Sequence, residues 1–180
     1  LGGWTHAVAA GGDPARVTID TGELPGVVEN GIAVFRGIPY AAPPVGELRW
    51  RPPQPVVPWE GLRDATAFGH ACPQKLGSYP EWADAAMQRA GLDEDCLTLN
   101  VWAPASHDGE PLPVMFYMHG GNMQYGASAM PLYDGGILAR EGYEDQLTVA
   151  YLSMMSHIND LVERHQSDAR PTIVVTDEGH

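Results

Sequence analysis

"LPVMFYMHGGNMQYGAS", Leu112 to Ser128, joins a mostly apolar run to a glycine-rich turn. The run from Leu112 to Met118 fits a buried strand, because a strand covered on both faces reads as nearly continuous apolar sequence. Adjacent glycines after such a strand, Gly120 and Gly121, let backbone N–H groups turn outward with no Cβ in the way. Two or three donors presented like this stabilise the charge that develops in acyl transfer. The same two glycines also suit a tight turn in which they only relieve strain, and these residues alone leave both readings open. The rest of the chain decides between them.

The chain has 180 residues, of which 44% are hydrophobic and 18% charged, the profile of a globular domain. Lys and Arg total 10 against 23 Asp and Glu, a formal charge of −13. Such a surface repels phosphate backbones and anionic lipid, so neither nucleic acid nor a membrane surface is an expected partner. No apolar run approaches the roughly 20 residues of a membrane span. "LGGWTHAVAAGG" at the start carries the small residues of a cleavage site but no basic region before them, so a signal peptide and a truncated reading frame both stay open. Cys72 and Cys96 allow one bridge at most.

Upstream, Val17–Asp20, Gly26–Glu29 and Ile32–Phe35 read as strands of an antiparallel meander punctuated by Gly, Asn and Pro. "APPVGELRWRPPQPVVPW" (Ala42–Trp59) is too rich in proline for central sheet or helix interior. It is expected as ordered coil pinned to the surface by Trp50 and Trp59. "EWADAAMQRAG" reads as a short helix ending at Gly91, and "LTLNVW" (Leu97–Trp102) as a strand stopped by Pro104. "PLYDGGILAREG" (Pro131–Gly142) is a turn into a brief helix. Leu147, Tyr151, Met154, Met155, Ile158, Leu161 and Val162 then follow helical spacing, which predicts an amphipathic helix over Leu147–His165. "PTIVVTDEGH" ends the chain as a strand and an acidic pair.

Five stretches in order carry a resemblance: "FRGIPYAAPPVGELRWRPPQPVVPW", "DATAFGHACPQ", "EDCLTLNVWAP", "PVMFYMHGGNMQYG" and "PLYDGGILAREG". Together they resemble the N-terminal part of the type-B carboxylesterases, the family of cholinesterases and bacterial para-nitrobenzyl esterases, over about residues 17–142. The resemblance implies an α/β-hydrolase fold, present here incompletely. It further implies serine ester hydrolysis by a Ser-Glu/Asp-His triad acting on neutral or cationic carboxylic esters, with no cofactor and no metal. The family's H-G-G-G-type loop matches His119, Gly120, Gly121 and Asn122, whose backbone N–H groups would form the oxyanion hole, chiefly those of Gly121 and Asn122. Asn122 departs from the usual Gly or Ala and brings a bulkier side chain to the hole. Gly126 fits a later glycine of the family.

The resemblance also implies a Cys72–Cys96 disulfide, with two buried free thiols as the alternative, and an Arg49–Glu94 ion pair. A bridge points to a secreted or periplasmic protein, with the cytoplasm open if the thiols are free.

The nucleophile of such an enzyme sits in a G-x-S-x-G elbow. The nearest match, Gly126-Ala127-Ser128-Ala129-Met130, fails at its last position and lies in the oxyanion loop. Ser128 is therefore expected to be a loop residue, and the nucleophile, acid and triad histidine to be missing from this chain. From about Tyr143 the sequence departs from the family, and 143–180 is expected to be a divergent helix-strand tail outside the esterase fold. "TIVVTDEGH" resembles the Walker B strand of a conjugative-transfer ATPase, where Asp177 and Glu178 would hold Mg²⁺, yet no G-x-x-x-x-G-K-[ST] loop accompanies it. His70-x-Cys72 lacks a second ligand pair, and His157 and His165 stand two helical turns apart, so neither makes a metal site. A non-catalytic binding module on the esterase fold and a fused secretion-ATPase fragment remain as alternatives.

Overall fold

The computed structural model describes residues 13–77, 80–106, 112–121, 124–141, 148–152 and 172–173. Among these residues, eight strands and two α-helices run in the order β1 (Arg16–Ile19), β2 (Gly22–Pro25), β3 (Val27–Glu29), β4 (Ile32–Pro39), α1 (Glu81–Ala90), β5 (Thr98–Pro104), β6 (Val114–Met118), α2 (Gly136–Glu141), β7 (Thr148–Leu152) and β8 (Thr172–Ile173). The class is α/β, with one mixed six-stranded sheet ordered β3-β4-β5-β7-β6-β8.

The N-terminal strands do not form the single meander expected of them. β1 and β2 pair only with each other, as a two-stranded ribbon, whereas β3 turns into β4 and so enters the main sheet. Asn30 and Gly31 make that turn, with φ of 51° and 80°. These left-handed values match the two-residue hairpin turn that Asn-Gly favours. β4 then runs longer than the sequence pattern implied, to Pro39, and is buried on both faces through its first four residues. Ile32 and Val34 face Trp102 and Ala139 of α2 on one side, while Ala33 and Phe35 face Leu24 and Ala65 on the other. This alternation is the period of two that a strand imposes. The ladder between β4 and β5 slips between Phe35 and Ile38, and the fully buried Asn100 accepts a hydrogen bond from the Gly37 N–H there (2.9 Å).

The proline-rich coil is held by one tryptophan and not by two. Trp59 packs against the Leu24 cluster and donates its indole N–H to the Glu23 carbonyl (3.3 Å). A side chain at Gly22 would collide with its ring. Trp50, in contrast, is 93% exposed, with a left-handed backbone (φ 57°), and pins nothing among the described residues. Its neighbour Arg49 turns to Glu94 instead.

α1 ends where expected, with Gly91 as its C-terminal cap (φ 79°). It buries Ala83, Ala86 and Met87 against Ala127 and Met130, the residues that follow the glycine turn. The larger departure lies beyond residue 142. Thr148–Leu152, which fell within the predicted amphipathic helix, is a strand paired antiparallel to β5 and parallel to β6. A five-residue apolar run fits helix and strand periodicities alike, and here two waiting strand edges decide the outcome. The sheet therefore extends past residue 142. His157, His165, Met154, Met155 and the acidic pair Asp177 and Glu178 lie outside the described residues.

Candidate active site

Parallel pairing of β6 with β7 and β8 directs the C-terminal end of β6 toward one rim of the sheet. Ligands of open α/β sheets bind at such rims. β6 is half-buried along its whole length, less covered than its apolar sequence suggested. His119 follows it directly and is buried, at 8% exposure. Its Nδ1 lies 2.9 Å from the Gly120 carbonyl oxygen. A carbonyl only accepts, so Nδ1 carries the proton and Nε2 is left as a bare lone pair. That Nε2 is buried with no partner among the described residues. Burial pushes the His119 pKa below its ordinary value, and the bond to the Gly120 carbonyl opposes that only in part. The imidazole is thus held neutral. Tyr133 stacks beside it, with ring centroids 5.7 Å apart and planes 22° apart.

The glycines past His119 have different reasons to be glycine. At Gly121 (φ 122°) a Cβ would strike the Tyr125 carbonyl oxygen, and this carbonyl-dense turn is closed by the Gln124 and Tyr125 N–H groups donating to the Gly121 carbonyl (2.9 and 3.2 Å). At Gly126 (φ 111°) a Cβ would sit 2.7 Å from His119 Nδ1. Gly120 is exposed, lacks a left-handed φ, and a Cβ there would meet open space. Neither packing nor strain accounts for it. Among the described residues, no acceptor takes a hydrogen bond from the N–H of Gly120 or Gly121. The third residue of the matched loop, Asn122, lies outside the described residues.

Cys72 and Cys96 are joined in a disulfide, with their Cα atoms 5.1 Å apart. Cys72 is therefore not a metal ligand with His70. The closed loop carries α1 and so abuts the glycine turn. The Arg49 guanidinium meets Glu94, within this loop, at 2.6–2.9 Å, with both side chains partly exposed. Exposed pairs of this kind contribute little to stability. Ser128 is buried, at 6% exposure.

Sequence reasoning missed Gln74. Its side-chain Oε1 accepts from the Gly126 N–H (2.7 Å), and its Nε2 donates to the Gly126 and Cys72 carbonyls (2.9 Å each). Gln74 closes the family-like stretch "DATAFGHACPQ", but nothing in that stretch gives it a role, and its partner stands 52 residues away. A recess of about 80 Å³ between β4, β5 and α2, lined by Val34, Trp102, Asp134 and Ile137 among others, shares no residue with the glycine turn. Ligand pockets span about 300–1,000 Å³, so this recess is not the site. Among the described residues there is no metal-holding cluster of His, Cys, Asp and Glu, and no helix long and apolar enough to cross a membrane.

Comparison with known proteins covers the same region. The model of the "Carboxylesterase family" matches residues 13–151. The phenmedipham hydrolase of Pseudarthrobacter oxydans is 44% identical over 67% of this chain and 24% of its own length. The para-nitrobenzyl esterase of Bacillus subtilis is 42% identical over 75% of this chain and 27% of its own. Among solved structures, a PNB esterase superposes with a TM-score of 0.69 at 40% identity, covering 78% of this chain and 27% of that one. Over that share of the chain the architecture is the α/β-hydrolase one. The chain spans about a quarter of the length of the curated relatives it matches.

Proposed function

The chain belongs to the carboxylesterase family, and on that premise we propose that it supplies the oxyanion loop and the adjoining rim of a serine esterase. The substrate class is a small carboxylic ester, hydrolysed through an acyl-enzyme. Gly120 carries the reading. It is an exposed glycine at the end of a parallel strand, required by neither packing nor φ, and its missing Cβ leaves room for something to approach the backbone. The N–H groups of Gly120, Gly121 and Asn122 are the proposed donors to the developing oxyanion. Such donors act without reorganising when the charge appears, which is why each is worth so much in the transition state. His119, neutral and bonded through Nδ1 to the Gly120 carbonyl, keeps that carbonyl turned away and the N–H groups facing the ester. The hydrolytic serine and its acid and base partners are not assigned to any of these 180 residues, Ser128 included. The disulfide supports an oxidising compartment, secreted or periplasmic.

A chimera tests the reading. Residues 13–151 replace the matching segment of the para-nitrobenzyl esterase, and p-nitrophenyl acetate hydrolysis is measured with and without Gly120→Val. A Cβ at this position meets nothing within 4 Å, so stability should hold while kcat/KM falls by about 10² or more. Equal rates in the two chimeras would remove Gly120 from the site.

A further inference from the structure

The Gln74 side chain reaches both backbone groups of Gly126 and uses both of its Nε2 hydrogens, on the Gly126 and Cys72 carbonyls. This reciprocal pairing spans the two halves of the candidate site. On one side is the loop closed by the disulfide. On the other is the glycine turn, which is confined further by Gly126 lying against the His119 ring. Nearby, Ala127 and Met130 pack on Ala83, Ala86 and Met87 of α1, so the contact has an apolar backing. The amide orientation is fixed by its partners, because the Gly126 N–H needs the oxygen and the two carbonyls need the nitrogen.

We infer that Gln74 is the positioning residue of the glycine turn: it clamps Gly126, and through the Gly126–His119 contact it sets where the Gly120 and Gly121 N–H groups point. Cys72, two residues before it, is held by the disulfide, so the clamp is anchored to a covalent cross-link and not to mobile coil. The consequence for catalysis rests on the oxyanion reading above. The clamp itself does not.

The test reads loop order in the disulfide-intact 180-residue chain, without turnover. Amide hydrogen exchange is followed by NMR in the parent chain, in Gln74→Ala, and in Gln54→Ala, which removes another glutamine that bonds backbone carbonyls, those of Pro52 and Pro53. Losing the clamp should speed Gly126 exchange about tenfold and move the His119 ring nitrogen shifts, while the paired amides of β4 and β5 stay within about twofold. Gln54→Ala should leave Gly126 as it was. Gln74→Glu keeps the shape and guards against a misfolded alanine variant. Its carboxylate would oppose two carbonyls, so Gly126 should exchange fast at neutral pH and slow again as the carboxyl protonates, at a pH above its ordinary value of about 4.3, with the parent chain at each pH as reference. Unchanged Gly126 exchange in Gln74→Ala would overturn the inference, as would equal acceleration across β4 and β5 or a pH-independent Gln74→Glu. If the clamp stands and the Gly120→Val chimera keeps its rate, only the assignment of Gly120 to the oxyanion site falls.

Discussion

Gly126 lies so close under the His119 ring that a methyl group on its Cα would sit 2.7 Å from Nδ1, at a backbone φ of 111°. Gly126→Ala combines strain with a collision against a buried ring. It should cost about 1–3 kcal/mol and displace His119, seen as a lowered unfolding midpoint and a shifted imidazole signal. Gly120→Ala, which meets open space, should leave both unchanged.

Burial lowers the His119 pKa from its ordinary 6.5, which gives the turn a pH dependence of definite sign. The unfolded histidine then binds a proton more readily than the folded one, so stability is complete above about pH 6.5. It is lost as pH falls from there toward the lower folded value. Exchange rates of the Gly126 amide, corrected for intrinsic chemistry, should rise across that window. His119→Asn should flatten the profile, and a parent profile already flat would contradict the lowered His119 pKa.

Breaking the Cys72–Cys96 bridge releases a loop with a sequence separation of 24. The chain-entropy argument puts its contribution at about 3 kcal/mol. Denaturant unfolding of Cys72→Ser with Cys96→Ser should show a loss of that order, with Gly126 exchange accelerated as in the parent chain after reduction.

Two tryptophans should respond in opposite ways. Trp102, at 1% exposure, fills the space between β5 and α2, and Trp102→Ala should cost about 3–5 kcal/mol. Trp50→Ala, at 93% exposure, should fall within about 0.5 kcal/mol of the parent chain in the same denaturant titration.

Ser128 is buried and sits in a sequence that fails the nucleophile elbow. The chain alone should therefore hydrolyse p-nitrophenyl acetate no faster than buffer. Turnover sensitive to a serine reagent and abolished by Ser128→Ala would reverse its assignment as a loop residue.

Much of this was legible wherever the information is local. The Gly91 cap, the apolar run into His119 and the proline-rich coil each declare themselves within a few residues. The resemblance carried by "EDCLTLNVWAP" and the glycine turn then led to the family. What stayed hidden depends on partners distant in sequence. Trp59 and Trp50 look alike in sequence, and only the Glu23 carbonyl and the Leu24 cluster distinguish them. Thr148–Leu152 follows helical spacing until β5 and β6 offer it two edges. Gln74 stands at the end of "DATAFGHACPQ", but only the fold shows that it reaches Gly126. Even the reason for each glycine needed the fold, since Gly120, Gly121 and Gly126 differ only in what a Cβ would meet.

The strand order has a consequence for synthesis. β6 leaves the ribosome before either of its neighbours exists: β7 follows it by about thirty residues, and β8 later still. Until residues 148–152 arrive, the edge of β5 and the edge of β6 face a gap one strand wide, each carrying unpaired backbone groups. Until then β6, which ends at the glycine turn, lacks both of its sheet neighbours, and exposed strand edges of this kind invite wrong partners. The rim is thus made before the two strands that set it in place.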